Sequence, residues 1–291
     1  MTEVDQSRRS ALRLLGMGGV AMTFMDSPLK ALLPEKRRIG IQLYTVRHII
    51  ERDFERTLRT ISDIGYWGIE YYPLPESISA DRANRVFKEC RLEVLGMHVP
   101  LPVGKERDGV VKLADIFKCD RIVYPGGSQI ENFKDLETAK RTVERYDEIA
   151  SFLKSKGLQF GLHNHSVEFE ETAGIVPNYY LLEHLAKSVF FEIDTYWTKV
   201  AGKDPARVVH DFGKRAPLLH IKDGPAIEGP SVDKQLPAGD GNMNFPAIVN
   251  AGGSNIDWMI VEFDEYENNI LDGIRKSYGY LTRNKLAYGR V

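Results

Sequence analysis

The chain has 291 residues, 43% of them hydrophobic and 27% charged, the proportions of a globular protein with ample material for a large core. A formal net charge of −2 leaves no basic field to hold a phosphate backbone, so nucleic acid is excluded as an expected partner. The length admits one barrel or two smaller domains.

The N-terminus reads Ser7-Arg8-Arg9-Ser10-Ala11-Leu12-Arg13, followed by a weakly apolar run from Leu14 to Met25. Residues 1–33 resemble a twin-arginine export signal, which implies a periplasmic or otherwise exported protein. The competing reading is an amphipathic surface helix with two chance arginines. The run is too short for a permanent membrane span. No small-x-small cleavage site stands out before Lys36, and no cysteine follows the run to carry a lipid. The two cysteines, Cys90 and Cys119, are expected to be free thiols.

From Arg38 onward β-type apolar runs alternate with amphipathic helical stretches. The first strand spans 39–44, and a helix over 53–64 follows, with Phe54, Leu58 and Ile61 on one face and Gly65 as its stop. A strand over 68–72 and a helix over 80–90 come next, then a strand over 92–99 and a helix over 110–117. The fourth strand spans 120–124 and leads to a long helix over 133–156, closed by Gly157. The fifth strand (159–165) precedes a helix over 179–187, and the sixth strand (189–194) precedes a short helix opened by Asp204-Pro205. The seventh strand (218–222), a helix over 244–251, the eighth strand (258–263) and a helix over 268–283 complete the chain. Eight alternating pairs predict a parallel sheet with right-handed crossovers, and eight is the number that closes a (β/α)8 barrel. The open doubly wound alternative lacks its glycine-rich turn, because the first strand runs into Thr45-Val46-Arg47-His48. One α/β domain over 38–291 is therefore predicted.

Four of these strands end in metal-type side chains: His163, Asp194, His220 and Glu262. The spacings each correspond to roughly one βα unit, so the four converge at the C-terminal mouth of the barrel. Two imidazoles and two carboxylates suit one divalent ion among Mn, Co, Zn, Fe and Mg. Strand alternation places His165 on the face of His163, and Lys222 on the face of His220. Glu262 and Asp194 lie in strongly apolar strands, where a carboxylate needs a partner.

Several segments together resemble the sugar isomerase/epimerase superfamily with the xylose-isomerase-like TIM barrel. They are His163-Asn164-His165 with Glu168-Phe169, Asp194-Thr195-Tyr196-Trp197, Ala201-Gly202 with Asp204-Pro205, His220-Ile221-Lys222-Asp223, and Gly239-Asp240-Gly241. The resemblance runs from about residue 38 to the end and is nearest to an exported bacterial branch. It implies a metal held by Glu, Asp, His and Glu at strands five to eight. His163 stands where the first glutamate is expected, a departure that counts against simple two-glutamate epimerisation.

The implied activity is a divalent-metal-dependent isomerisation or epimerisation of a keto or hydroxy sugar through an enediolate. A lyase or hydratase on a keto-sugar or keto-glycoside shares that intermediate. Hydrolysis or phosphodiester cleavage is disfavoured by having only seven histidines. A non-catalytic sugar-binding barrel would be expected to have a broken ligand set. Candidates for proton transfer are Glu262, Lys222 and His165. Candidates for substrate contact are His98, Trp197, Glu70 and Tyr44, with ordinary core packing the alternative for the aromatics and a satisfied core group for His98. Partners reduce to a small sugar, with homodimer formation left open.

Overall fold

The structure is a computed structural model that describes residues 36–126, 130–229, 232 and 234–290. The export-type segment 1–33 lies outside the described residues. Eight parallel strands pair in chain order and close on themselves: β1 (Arg38–Gln42), β2 (Gly68–Tyr71), β3 (Glu93–His98), β4 (Arg121–Tyr124), β5 (Gln159–His163), β6 (Phe190–Asp194), β7 (Leu218–Ile221) and β8 (Trp258–Val261). The helices outside are α1 (Arg47–Ile50), α2 (Phe54–Ile64), α3 (Ala80–Glu89), α4 (Glu106–Phe117), α5 (Leu136–Ser155), α6 (Pro177–His184), α7 (Thr195–Val200), α8 (Pro205–Phe212), α9 (Phe245–Gly252) and α10 (Ile270–Arg283). No helix among the described residues is long and apolar enough to cross a membrane.

Local chemistry sets the helix ends. Side chains of Asp53, Ser79, Asp135, Asp204, Asn244 and Asn269 each accept a hydrogen bond from a first-turn N–H. Gly65, at φ 114°, closes α2 in a left-handed conformation that a side chain would resist. Two helices, α1 and α7, escape the sequence reading because they are too short to show a helical period.

Strand alternation sorts the side chains into an outer sheath and an inner shaft. Outward residues such as Ile41, Ile69, Met97, Phe191, Leu219 and Met259 pack under the helices in the main core. Inward residues Leu95, Val123, Phe190, Leu218, Trp258 and Ile260 form a separate apolar plug inside the barrel. Glycines make room for it: a Cβ at Gly161 would lie 2.2 Å from Phe190, and one at Gly68 would lie 3.2 Å from Trp258.

Further along, on six of the eight strands, the inward layer turns polar. It consists of Gln42, Glu70, His98, His163, Glu192 and His220, all buried. Above it, at the mouth, stand Tyr44, His165, Asp194, Lys222, Glu262 and Asp264. A typical barrel fills its middle layer with branched aliphatics. Burying six polar groups there is expensive unless each is paired.

Candidate active site

The middle layer is organised by one carboxylate oxygen. Glu192 Oε1 lies 2.6 Å from His98 Nε2, 3.0 Å from His163 Nδ1 and 3.0 Å from His220 Nε2. His163 and Glu192 are register partners on β5 and β6, which fixes their approach. His220 Nε2 also lies 2.8 Å from Glu70 Oε2, and Gln42 donates to the same oxygen at 2.8 Å. Gly96 leaves space for Glu70, since a Cβ there would sit 2.8 Å from Glu70 Oε1.

His220 joins this layer to the mouth. Its Nδ1 lies 2.5 Å from Glu262 Oε2, so carboxylates flank both ring nitrogens. Burial opposes charging the ring, but Glu192 and Glu262 outweigh it and hold His220 well above the usual histidine range. His98 is raised in the same way, with Glu70 and Glu192 overcoming the cost of burial. Burial, and then the charge of Glu192, push Glu70 up to about 8. Glu192 stays ionised despite burial because His220 and His98 face it.

At the mouth, Lys222 is enclosed by carboxylates. Its Nζ donates to Asp264 at 2.9 and 2.8 Å and lies 2.9 Å from Glu262 Oε2 and 3.1 Å from Asp194 Oδ2. These charges outweigh burial and raise its pKa well above the usual lysine value. Lys222 and His220 in turn hold Glu262 ionised against burial. Asp194 divides its carboxylate. Oδ1 caps α7 by accepting from Trp197 N at 3.0 Å, while buried Oδ2 receives no aligned hydrogen bond. Burial lifts Asp194 to about 6.

Asp194, His220 and Glu262 present donor atoms within 4.8 Å of one another, the arrangement of a metal-binding group. The fit is also electrostatic. Three carboxylates at the mouth, Asp194, Glu262 and Asp264, face the single ammonium of Lys222. Asp194 Oδ2 accepts no hydrogen bond and has the Lys222 ammonium 3.1 Å away, which leaves it acceptor capacity for a cation. Three of the four expected ligands thus come together. His163 instead groups with His98, Glu192 and His220.

A cavity of about 150 Å³ opens above these groups, lined by Tyr44, Tyr72, His98, Pro125, His163, His165, Lys222, Glu262 and Asp264. Tyr44 and Tyr72 meet edge to face at 5.0 Å on its rim. His165 has a buried Nδ1 without a partner, and burial followed by the Lys222 charge lowers its pKa to about 4. Trp197 is not among the lining residues; its indole N–H donates to Asp264 Oδ2 at 3.2 Å. Glu70 lies below the cavity, in the middle layer. A larger cleft of about 490 Å³ adjoins along 263–271 and shares Asp264, but none of the buried histidines line it.

Sequence reasoning missed Glu192, Asp264, Gln42 and Gln235. Glu192 and Asp264 each stand two residues from a named ligand, so strand alternation alone would have found them. Gln235 comes from the β7–α9 loop: its amide donates to Asp264 Oδ2 at 2.7 Å, and its Oε1 accepts from Asp264 N at 2.6 Å. No periodicity announces it.

A closed parallel barrel with a histidine- and carboxylate-lined mouth defines a TIM-barrel protein with a candidate metal centre. Residues 58–283 match the model of the xylose isomerase-like TIM barrel family, and the chain belongs to that family. Among solved structures it is similar to a sugar phosphate isomerase/epimerase from Parabacteroides distasonis, with TM-score 0.74 and 22% identity over 88% of this chain and 96% of that one. It is also similar to a probable 3-DHS dehydratase from Bacillus anthracis, with TM-score 0.66 and 16% identity over 84% and 98% of the two chains. A D-allulose 3-epimerase from Methylomonas sp. aligns with TM-score 0.61 and 14% identity over 86% and 98%. Comparison with curated protein sequences finds no match.

Proposed function

We propose that the protein is a divalent-metal-dependent isomerase or epimerase of a small keto or hydroxy sugar. The observation that carries this reading is the cavity itself, where Glu262, His165 and Lys222 face a common space beside the Asp194–His220–Glu262 group. Those three ligands would hold the ion, which supplies Lewis acidity to a sugar carbonyl.

The chain's own residues divide the remaining work. His165 is kept neutral by burial and has an unpartnered ring nitrogen, so it suits the role of accepting the proton from the carbon beside the carbonyl. Glu262, ionised and on the same cavity, is the second proton carrier. Return of the His165 proton to the neighbouring carbon, with the hydroxyl proton passing to the former carbonyl oxygen, gives isomerisation. Delivery of a proton to the opposite face by Glu262, after it takes one up from water while His165 yields its own to solvent, gives epimerisation. Lys222 is held charged by three carboxylates and is assigned to stabilising negative charge on the enediolate rather than to acting as a base. Tyr44 and Tyr72 offer ring faces to the sugar's C–H surface. Export through the twin-arginine pathway belongs to the same proposal, on the evidence of Arg8 and Arg9.

The test combines elemental analysis with proton exchange. Wild type loaded with Mn²⁺, Co²⁺ or Zn²⁺ is expected to retain ion after dialysis and to exchange a substrate C–H in D2O, read by NMR across a keto-sugar panel. Glu262→Gln is expected to lower metal affinity and exchange by about 100-fold or more. A wild type that binds no ion and exchanges no keto sugar would end this reading.

A further inference from the structure

Apart from His220, the polar middle layer has no part in the chemistry at the mouth. Among the described residues no lysine or arginine pairs with Glu70 or Glu192, although both are fully buried. Glu192 Oε2 and Glu70 Oε1 have no hydrogen-bond partner. The His98 and His220 rings are the cationic partners these carboxylates meet, and each carboxylate keeps one oxygen with acceptor capacity to spare. Three imidazole nitrogens meanwhile converge on Glu192 Oε1 at 2.6, 3.0 and 3.0 Å.

We propose that the middle layer is a second divalent-cation site, formed by His98, His163, Glu192 and His220. Their donor atoms all lie within 4.8 Å of one another. Three imidazoles and one carboxylate form a four-donor nitrogen-rich set of the kind that Zn²⁺ takes tetrahedrally. Donors around such an ion stand about 3.4 Å apart, so these need to part by roughly half an ångström as the ion replaces the protons now between them. His98 and His163 also line the cavity, which gives the ion a way in. His220 serves this ion through Nε2 and the mouth ion through Nδ1, and holding both releases its last ring proton. The inference rests on the proposed function only for the mouth ion.

The experiment is a stoichiometry. Full-length protein is loaded with Zn²⁺, dialysed and analysed for zinc per chain, alongside His98→Gln, Glu192→Gln and Asp194→Asn, each checked for native circular dichroism. Two ions in wild type, and one in each folded variant, are expected. One ion in wild type, lost in Asp194→Asn and kept in His98→Gln, overturns the second site and leaves the function standing. One ion lost in His98→Gln and kept in Asp194→Asn does the reverse. No ion in wild type overturns both, and two ions that survive both His98→Gln and Glu192→Gln overturn the second site. A wild type with no zinc refutes the proposal without any variant, and if one variant misfolds the other two still decide where a single ion sits.

Discussion

At the scale of single residues, the site works by setting neighbouring groups against each other. Glu262 stays ionised and Asp194 is lifted to about 6, although both carboxylates are buried beside Lys222. The difference follows from contacts: Glu262 meets both Lys222 and His220 closely, while Asp194 lies 3.9 Å from His220. His165 supplies a measurable signature. Its folded pKa of about 4 lies below the ordinary 6.5, so the unfolded chain takes up a proton first as pH falls. Its contribution is complete above pH 6.5 and is lost between there and pH 4, up to about 3 kcal/mol. Asp194 and Glu70 act oppositely, since raised carboxyl pKa values cost stability as pH rises. The clean readout is therefore a difference: His165→Gln should lose less stability than wild type in denaturant unfolding between pH 7 and pH 4. Equal losses would remove His165 from the account.

At the scale of elements, the strands were legible because alternation and β-type composition repeat eight times. His163, Asp194, His220 and Glu262 at their C-terminal ends stood out for the same reason, whereas Glu192 and Asp264, each two residues from one of them, did not. The short α7 was not. Its formation depends on Asp194 capping it, a contact that arises only once the strand end is in place. The β7–α9 loop was also opaque, although its motif residues stood out. Asp223 accepts from four backbone N–H groups, of Gly224, Gly239, Gly241 and Met243, at 2.8 to 3.2 Å. That ties the loop into a knot, and Gln235 fastens it to Asp264. Asp223→Ala leaves those donors unmatched and should cost about 2–4 kcal/mol. Asp223→Asn, which keeps one acceptor oxygen, should cost less, as read by chemical unfolding. If the two variants matched wild type, the loop would owe its shape to something else.

At the scale of the whole molecule, the barrel is apolar at its floor and polar above. Trp258 fills the floor, fully buried, with the Arg38 guanidinium 4.0 Å from its ring. Its indole N–H has no partner. Trp258→Ala should therefore destabilise by about 3–5 kcal/mol. Trp258→Phe, which removes an orphan donor while keeping most of the ring, should cost far less. Comparable losses in thermal unfolding would argue against the plug as a major source of stability. The N-terminal segment carries the other molecule-scale prediction. Replacing Arg8 and Arg9 together by lysine should leave the protein in the cytoplasm on cell fractionation. Unchanged export would return the segment to the reading of a surface helix.

The closed floor has one more consequence. With Trp258 and Phe190 in the plug below, the middle layer opens to the cavity above, where His98 and His163 share the lining with Lys222 and Glu262. An ion held low would leave by the same cavity, past the Glu262 that an ion at the mouth would share. Chelation should thus strip such a barrel in order, last in and first out, as two resolved phases rather than one.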